Sequence, residues 1–465
     1  MNDIKDRKLH RCTSGQKVWV KPEGFGERVD SFTAIQNTES PMFQENLMET
    51  ICERENLWKA LRKVKSNKGC AGIDGMEVNE LSSFLKDNWI AIKSKLLAGK
   101  YIPEPVMRIE IPKPGGAENR KLGIPCVLDR FIQQAILQTL QNKWDRKFSE
   151  NSYGFRPKRS AHQAVLKAQS YLKSGYSYVV DIDLEKFFDR ISHDRLMSRL
   201  AVEISDKRLL KLIRLYLKAG VMENGLITTP TDGTPQGGPL SPFLSNIVLD
   251  ELDKELERRK LNFVRYADDC NIYVKSLRSG MRVMSSISSF ICNHLKLRVN
   301  QSKSAVDLPA NCQFLGFTFT AGKASNRRKI SNKSLNRFKS KIRHITRRNR
   351  GQSLEVVVIN LNKYLNGWRS YFGICETLSV LRDLDSWIRR RLRCLLWKQW
   401  KVYANRRREL MKRNVSESQS SHTAFSAKGP WRISSTKAVQ LALNGKFFDS
   451  IGVVRLLKKN KKLNI

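Results

Sequence analysis

The 465 residues contain no run of eighteen apolar side chains, so no helix is expected to cross a membrane. The opening MNDIKDRKLHRC has no apolar stretch of the kind a secretory signal needs, and export is not expected. The nine cysteines (Cys12, Cys52, Cys70, Cys126, Cys270, Cys292, Cys312, Cys375 and Cys394) never form a CxxC pair. That argues against a zinc module and fits a reducing compartment. Beyond residue 400 there is no cysteine and only one histidine, His422, so a nuclease built on paired cysteines and histidines is not expected there. No internal repeat is visible.

Acidic side chains are scarce relative to basic ones. Forty-four Asp and Glu face 85 Lys and Arg, a formal charge of +41. Such an excess repels itself unless a polyanion accompanies it, which makes nucleic acid the natural partner and predicts binding that weakens steeply with salt. The imbalance is concentrated: from Ala321 onward, 35 basic residues face 7 acidic ones, which is +28 of the +41. The last third is therefore the expected nucleic-acid clamp. Charge alone does not distinguish an enzyme from a structural RNA binder.

Hydrophobic residues make up 40% of the chain, enough for a buried core, and the length suits two or three domains. Residues 1–50 are polar with little periodicity. From Phe43 to Leu97 helical patterns flank a Gly-rich turn, Gly69–Gly75. Helices are predicted at Asp129–Phe148, with Asp129 as N-cap, at Ala161–Leu172, and at Phe243–Arg259, with Ser241 as cap and Pro242 at the first position. Strands are predicted at Tyr178–Leu184, at Gln313–Thr320, and as a hairpin over Phe263–Val274. The fold class is thus α+β with a small antiparallel sheet. After Ala321 the pattern is helical. In Ser334–Arg348, Leu335, Phe338, Ile342 and Ile345 form one apolar stripe opposite Arg337, Lys339, Lys341, Arg343, Arg347 and Arg348. Val380–Trp400 repeats the design, with Leu381, Leu384, Ile388, Leu392 and Leu395 inside and Arg382, Arg389, Arg390 and Arg393 among the others. Asn414–Ser426 is Ser-rich and reads as a linker before a small segment, Pro430–Leu457.

Two features carry chemistry. Asp268 and Asp269 adjoin in the turn of the apolar hairpin, beside Tyr266. Neighbouring carboxylates repel unless a cation joins them, and hard oxygen donors suit Mg²⁺, although the pair would also serve an ordinary polar turn. Asp183 at the end of YVVDIDL supplies a second source of carboxylate, with Asp181 on the same side of the strand as a rival and Asp189 a candidate ligand or helix cap. Carboxylates on a strand and a hairpin can bracket two metal ions about 3.5–4 Å apart.

These residues resemble a family. YADD (Tyr266–Asp269) is similar to the YxDD box of reverse transcriptases, and DLEKFF (Asp183–Phe188) to the strand box carrying their other catalytic aspartate. TPQGGPLSPFLSN (Thr234–Asn246), QSK (Gln301–Lys303) and FLGF (Phe314–Phe317) resemble further palm boxes. IPKPGGAENRKLGIP (Ile111–Pro125) and SYGFRPKRSAHQA (Ser152–Ala164) resemble the fingers, and NGWRSYF (Asn366–Phe372) with the basic helices the thumb, or X domain. Seven fingers and palm boxes in order, with the thumb motif after them, over roughly Gln44–Tyr403, look most like the endonuclease-lacking type of group II intron reverse transcriptase/maturase.

The resemblance implies a right-hand polymerase: a 1–50 extension, fingers at 51–177, a palm at 178–320 and an all-α basic thumb at 321–413, then a linker and small basic maturase- or DNA-binding-like segment at 414–465. It implies two Mg²⁺ ions, with Mn²⁺ as a substitute, on Asp183, Asp268, the supporting Asp269 and the backbone of Leu184. Lys113 and Arg120 would hold the triphosphate, Phe188 would be the steric gate against a 2′-hydroxyl, Gln236 and Gly237 would lie against nucleotide and template, and Lys303 would protonate pyrophosphate. Leu315 and Gly316 would form the primer grip. Arg156, Lys158 and Arg159 would meet template phosphates, and Arg337, Lys341, Arg343, Arg347 and Arg348 would bind RNA. The implied partners are an RNA template, intron RNA, a DNA primer or target and dNTPs, in a bacterial cytoplasm near the nucleoid, with no membrane. The implied function is RNA-directed DNA synthesis with help in splicing and retrohoming. A domesticated relative in DNA repair or phage defence, and a maturase that only binds RNA, remain open. A polymerase making RNA fits less well, because Phe188 would exclude ribonucleotides.

Overall fold

The computed structural model describes residues 46–112, 119–223, 226–228, 232–234, 237–321 and 326–457. Lys113, Gln236 and most of the 1–50 extension lie outside these residues, as does the side chain of Arg120. Helices Leu47–Ile51 (α1), Arg54–Asn67 (α2) and Leu81–Leu97 (α3) precede a hairpin of Val106–Pro112 (β1) and Asn119–Ile124 (β2). Val127–Trp144 (α4) follows, buried along most of its length by Val127, Phe131, Ile132, Ala135, Ile136 and Leu140. The helix begins earlier than its sequence suggests. Its N-cap is Cys126, and Asp129 stands inside the first turn, buried. Asp129 accepts hydrogen bonds from Tyr101 (2.8 Å), Tyr216 (3.2 Å) and the Glu104 N–H (3.1 Å), so it joins distant segments instead of capping. Ala161–Lys173 (α5) starts at a capping box made by Ser160 and Gln163.

The sheet that positions the site is built from Tyr178–Ile182 (β3), Asn262–Tyr266 (β6), Asp269–Val274 (β7) and Ala305–Asp307 (β8), antiparallel throughout, in the order β6-β7-β3-β8. Between them come helices His193–Glu203 (α6) and Lys207–Lys218 (α7), the short strands Val221–Glu223 (β4) and Leu226–Thr228 (β5), and Ser241–Arg258 (α8). Strands β4 and β5 extend the first hairpin, β4 pairing parallel to β1. Helix Leu277–Asn293 (α9) follows β7. Side chains alternate across a strand. Val180, Ile182, Cys270, Ile272 and Val274 therefore enter the large core with α4, α8 and α9. Val179, Val264 and Tyr273 face a separate cluster with Ala164, Val165 and Ala168 of α5. The carboxylates of Asp181 and Asp269 occupy positions on this second face.

The predicted strand Gln313–Thr320 is interrupted. Phe314 and Phe317 exchange backbone hydrogen bonds at 2.9 Å, so Leu315 and Gly316 form a two-residue turn with φ of +50° and +81°. Only Phe317–Phe319 (β9) is strand, paired with Arg328–Ile330 (β10). Three long helices come next: Asn332–Ile345 (α10), Leu354–Phe372 (α11) and Leu378–Gln399 (α12). The apolar positions expected in α10 and α12 are indeed buried, with Leu335 only partly so. Helix α10 is capped by Ser331 and ends at Ile345, leaving Arg347 and Arg348 beyond it. In α12 the arginines are not all a solvated face. Arg390 stacks on Trp431 at 4.0 Å and Arg393 donates to the Leu443 carbonyl at 2.9 Å. Both therefore fasten the C-terminal segment. Tyr403–Met411 (α13) leads into the stretch expected as a linker, which is instead largely helix, Glu417–Phe425 (α14), with Ser420, Thr423 and Ala424 buried. Pro430–Ile433 (α15), Lys437–Ala442 (α16) and Gly445–Ser450 (α17) add Ile433, Val439, Leu443 and Phe448 to the same core as α10–α12. Among the described residues no helix is long and apolar enough to cross a membrane.

Candidate active site

The ladder between β3 and β7 ends on the pair Ile182–Cys270. One step further along, Asp183 and Asp269 come opposite each other, with Asp268 in the adjoining turn and Asp181 two residues back on the same face. The hairpin is as predicted, except that Asp269 is already in β7, paired with Tyr266, and the loop is only Ala267 and Asp268. Like charges directly across a strand pair are destabilising. Their cost is visible: burial, then the Asp269 and Asp183 charges, raise the Asp181 pKa to about 7. Asp269 is exposed as a residue, yet the protein crowded around its carboxylate strips hydration, and that desolvation with the Asp268 and Asp183 charges lifts it to about 6.

Asp183 sits just past the strand and is held by its backbone. Its carbonyl accepts from Asn300 N–H (2.8 Å), and its N–H donates to Ser304 Oγ (3.0 Å). Glu185 N–H reaches the Arg298 carbonyl at 2.8 Å, so Leu184 bridges Val299 as the non-hydrogen-bonded rung and directs its own carbonyl away from that neighbour. The Lys303 ammonium lies 3.6 Å from Asp183 Oδ2 and is otherwise exposed. Asp189 ends a single 3₁₀ turn, Phe187–Asp189, and the cap of α6 is Ser192, so Asp189 is no helix cap. Among the described residues no three His, Cys, Asp or Glu side chains gather closely enough to hold a metal ion. The donor set nonetheless fits a hard divalent cation. It consists of carboxylate oxygens with a backbone carbonyl beside them, and the raised Asp181 and Asp269 reflect desolvation first and the neighbouring carboxylates second.

Of the other expected residues, Phe188 is half-exposed while Phe187 enters the core. Gly237 has φ +145°, and a Cβ there would stand 2.4 Å from the Gly123 carbonyl. Its close approach is thus to β2, which carries the backbone of Arg120. The Leu315–Gly316 turn is clamped: Tyr371 OH donates to the Leu315 carbonyl (2.9 Å), and Ser331 N–H (3.0 Å) and Ser334 Oγ (3.1 Å) donate to that of Gly316. Lys158 is exposed, and Arg159 is partly exposed in an ion pair with Glu150. Arg156 is a correction. Its guanidinium is buried and donates to Asp145 Oδ1 (2.7 Å) and to the carbonyls of Asp145 (2.8 Å), Ser149 (2.5 Å) and Ser152 (3.0 Å), so all three nitrogens are engaged inside the protein and away from any phosphate. Arg337, Lys341, Arg343, Arg347 and Arg348 are all exposed.

Sequence reasoning missed Arg265, Asp253, Asn246 and Gly154, which lie behind the carboxylate turn. The signal was available. Arg265 is a charge inside the apolar strand FVRY, and Asp253 falls one turn from Leu249 on the core side of α8.

Residues 111–319 match the family model described as "Reverse transcriptase (RNA-dependent DNA polymerase)". Residues 335–414 match "Group II intron, maturase-specific domain". The chain is 32% identical over 302 residues to Protein YkfC of Escherichia coli (strain K12), covering 56% of this chain and 79% of that one. It is 38% identical over 206 residues to Group II intron-encoded protein LtrA of Lactococcus lactis subsp. cremoris, covering 44% of this chain and 34% of that one. It is 26% identical over 351 residues to Putative COX1/OXI3 intron 1 protein of Saccharomyces cerevisiae, covering 62% and 41%. The match therefore spans most of YkfC but only about a third of LtrA.

Proposed function

The chain belongs to the family of group II intron-encoded reverse transcriptases and maturases, and from this premise we propose that it copies RNA into DNA by divalent-metal nucleotidyl transfer and binds its intron RNA to assist splicing and retrohoming. The observation that carries the polymerase reading is the closeness of Asp183, just past the end of β3, to Asp269 at the start of β7, with Asp268 beside them. Asp183 and Asp268 hold Mg²⁺, Asp269 supports them, and the Leu184 carbonyl completes the set. When bound, two Mg²⁺ ions would lower the pKa of a primer 3′-hydroxyl and neutralise charge on the triphosphate and pyrophosphate. Lys303 relinquishes Asp183 and gives a proton to pyrophosphate. Phe188 excludes a 2′-hydroxyl. Lys113 and Arg120 hold the triphosphate, and Gln236 and Gly237 lie against nucleotide and template.

The clamped turn of Leu315 and Gly316 grips the primer, since its shape is fixed by three hydrogen bonds from α10, its cap and α11. Lys158 and Arg159 meet template phosphates. The exposed Arg337, Lys341, Arg343, Arg347 and Arg348 lie in or just after α10, within the stretch matching the maturase-specific domain, which supports intron RNA as their ligand. The test is primer extension on an RNA template, dNTPs against NTPs and Mg²⁺ against chelator, with intron RNA binding measured in parallel. Extension with dNTPs and Mg²⁺ alone is expected. RNA binding with no extension would reduce the protein to a binding maturase.

A further inference from the structure

Strand β6 carries a charge into the protein interior. Arg265 is fully buried, and its fork grips α8: Nε donates to Asp253 Oδ1 at 2.7 Å and Nη2 to Asp253 Oδ2 at 2.5 Å. The remaining nitrogen, Nη1, donates to Asn246 Oδ1 at 3.0 Å and to the Ala267 carbonyl at 2.9 Å. Ala267 is the first residue of the carboxylate turn, with φ +57°, a conformation an alanine seldom adopts unaided. The same turn is backed by Gly154. A Cβ on Gly154 would stand 2.2 Å from Ala267 N, and its carbonyl accepts from Asn246 Nδ2 at 2.8 Å. The Arg265 backbone closes the assembly, bonding Asn151 and Tyr153 at 2.9 Å each.

An aliphatic side chain of similar volume would fill this space and avoid burying an ion pair, which is often the more stable arrangement. It could not hold the Ala267 carbonyl and α8 at once. We infer that Arg265 is a positioning residue: braced by Asp253 and Asn246, it fixes the Ala267 carbonyl and so sets the direction in which Asp268 points. Helix α8 begins directly after the Thr234–Leu240 loop, so the same brace makes that loop's downstream helix and the carboxylate turn one rigid body. The inference rests on reading Asp268 as a catalytic carboxylate.

The experiment is single-nucleotide addition under single-turnover conditions with the full chain, separating the rate constant from the burst amplitude. Arg265→Lys keeps a cation opposite Asp253 but loses the fork. Its rate should fall between about tenfold and a hundredfold, because small misplacements at a reacting centre carry losses of that size. The burst amplitude, the RNA affinity and the KM for dNTP should stay within about threefold. A residue that merely stabilised the fold would lower amplitude and Tm and leave the rate intact, and that outcome overturns the inference. Asn246→Ala removes a brace without stranding a charge, so it decides the matter if Arg265→Lys does not fold. Its rate should fall several-fold with wild-type amplitude, and an unchanged rate counts against the inference. Asp268→Asn serves as the separate control. Full extension by that variant would reject Asp268 as a catalytic carboxylate and with it the reading this inference rests on, whereas its loss beside an unimpaired Arg265→Lys and Asn246→Ala sinks only the role given to Arg265.

Discussion

The rings of Phe187 and Phe188 meet edge to face at 5.2 Å, and only Phe187 is buried in the core. The two neighbours therefore divide their work: Phe187 is buried in the core, while Phe188, in the 3₁₀ turn after β3, packs against its edge and stays partly exposed. Shrinking Phe188 to Ala or Val should admit ribonucleotides, because a clash with the 2′-oxygen would vanish while Phe187 keeps the core intact. The ratio of rNTP to dNTP incorporation on one template reads this. An unchanged ratio would return Phe188 to a packing role.

Removing one carboxylate should stop chemistry without releasing RNA. Asp268→Asn is expected to lower the extension rate by at least about a hundredfold, each tenfold corresponding to roughly 1.4 kcal/mol of lost transition-state stabilisation. RNA affinity should change little, since the five exposed cations assigned to RNA lie on α10 and the residues after it, away from the carboxylate turn in sequence. Near-normal extension by the purified variant would reject Asp268 as a ligand.

Charge reversal at Arg343 and Arg347 should weaken RNA binding and flatten its salt dependence, by about one unit of log–log slope for each phosphate no longer neutralised. Arg343 lies on the exposed face of α10, opposite the buried Phe338 and Ile342, and Arg347 just past its end. Binding curves matching wild type at low and high salt would make that face plain solvated surface.

Arg156 should behave differently from its neighbour Lys158. Its buried pairing with Asp145 means that Arg156→Ala leaves the Asp145 carboxylate and three backbone carbonyls without their donor, a loss on the order of 3–5 kcal/mol. Thermal unfolding should show a marked fall in Tm. Lys158→Ala should leave Tm unchanged and weaken RNA binding only slightly. Equal Tm values for wild type and Arg156→Ala would contradict the buried pairing.

Asp129 should make stability depend on pH. Burial raises its pKa to about 6, with the hydrogen bonds from Tyr101, Glu104 and Tyr216 offsetting part of that effect. The folded state then holds the proton more tightly than the unfolded chain, whose aspartates titrate near 4. The resulting stabilisation is complete below that value and is lost as pH rises through about 6. Measured against Asp129→Asn, wild type should lose relative stability between about pH 4 and pH 6. A constant difference in denaturation midpoint across this window would refute the raised pKa.

The linear order of residues determined much of this protein. Alternation in YVVDI and FVRYADDCNIYV requires half-buried strands, and the adjacent Asp268 and Asp269 need a turn and a counter-ion. The apolar stripe of Leu335, Phe338, Ile342 and Ile345 forces a helix with cations outside. These are local consequences of period and charge, so they can be read without knowing what packs where. Tertiary structure decided what depends on partners distant in sequence. Register across β3 and β7, not spacing, brought Asp183 opposite Asp269. The break at Leu315–Gly316 follows from clamps supplied by Ser331, Ser334 and Tyr371, which override the strand propensity of QFLGFTFT. Arg156, Arg390 and Arg393 look like any other cation in a basic chain. They became structural only because Asp145, Trp431 and Leu443 lie within reach, and a guanidinium tied to such partners is directed inward instead of toward a phosphate.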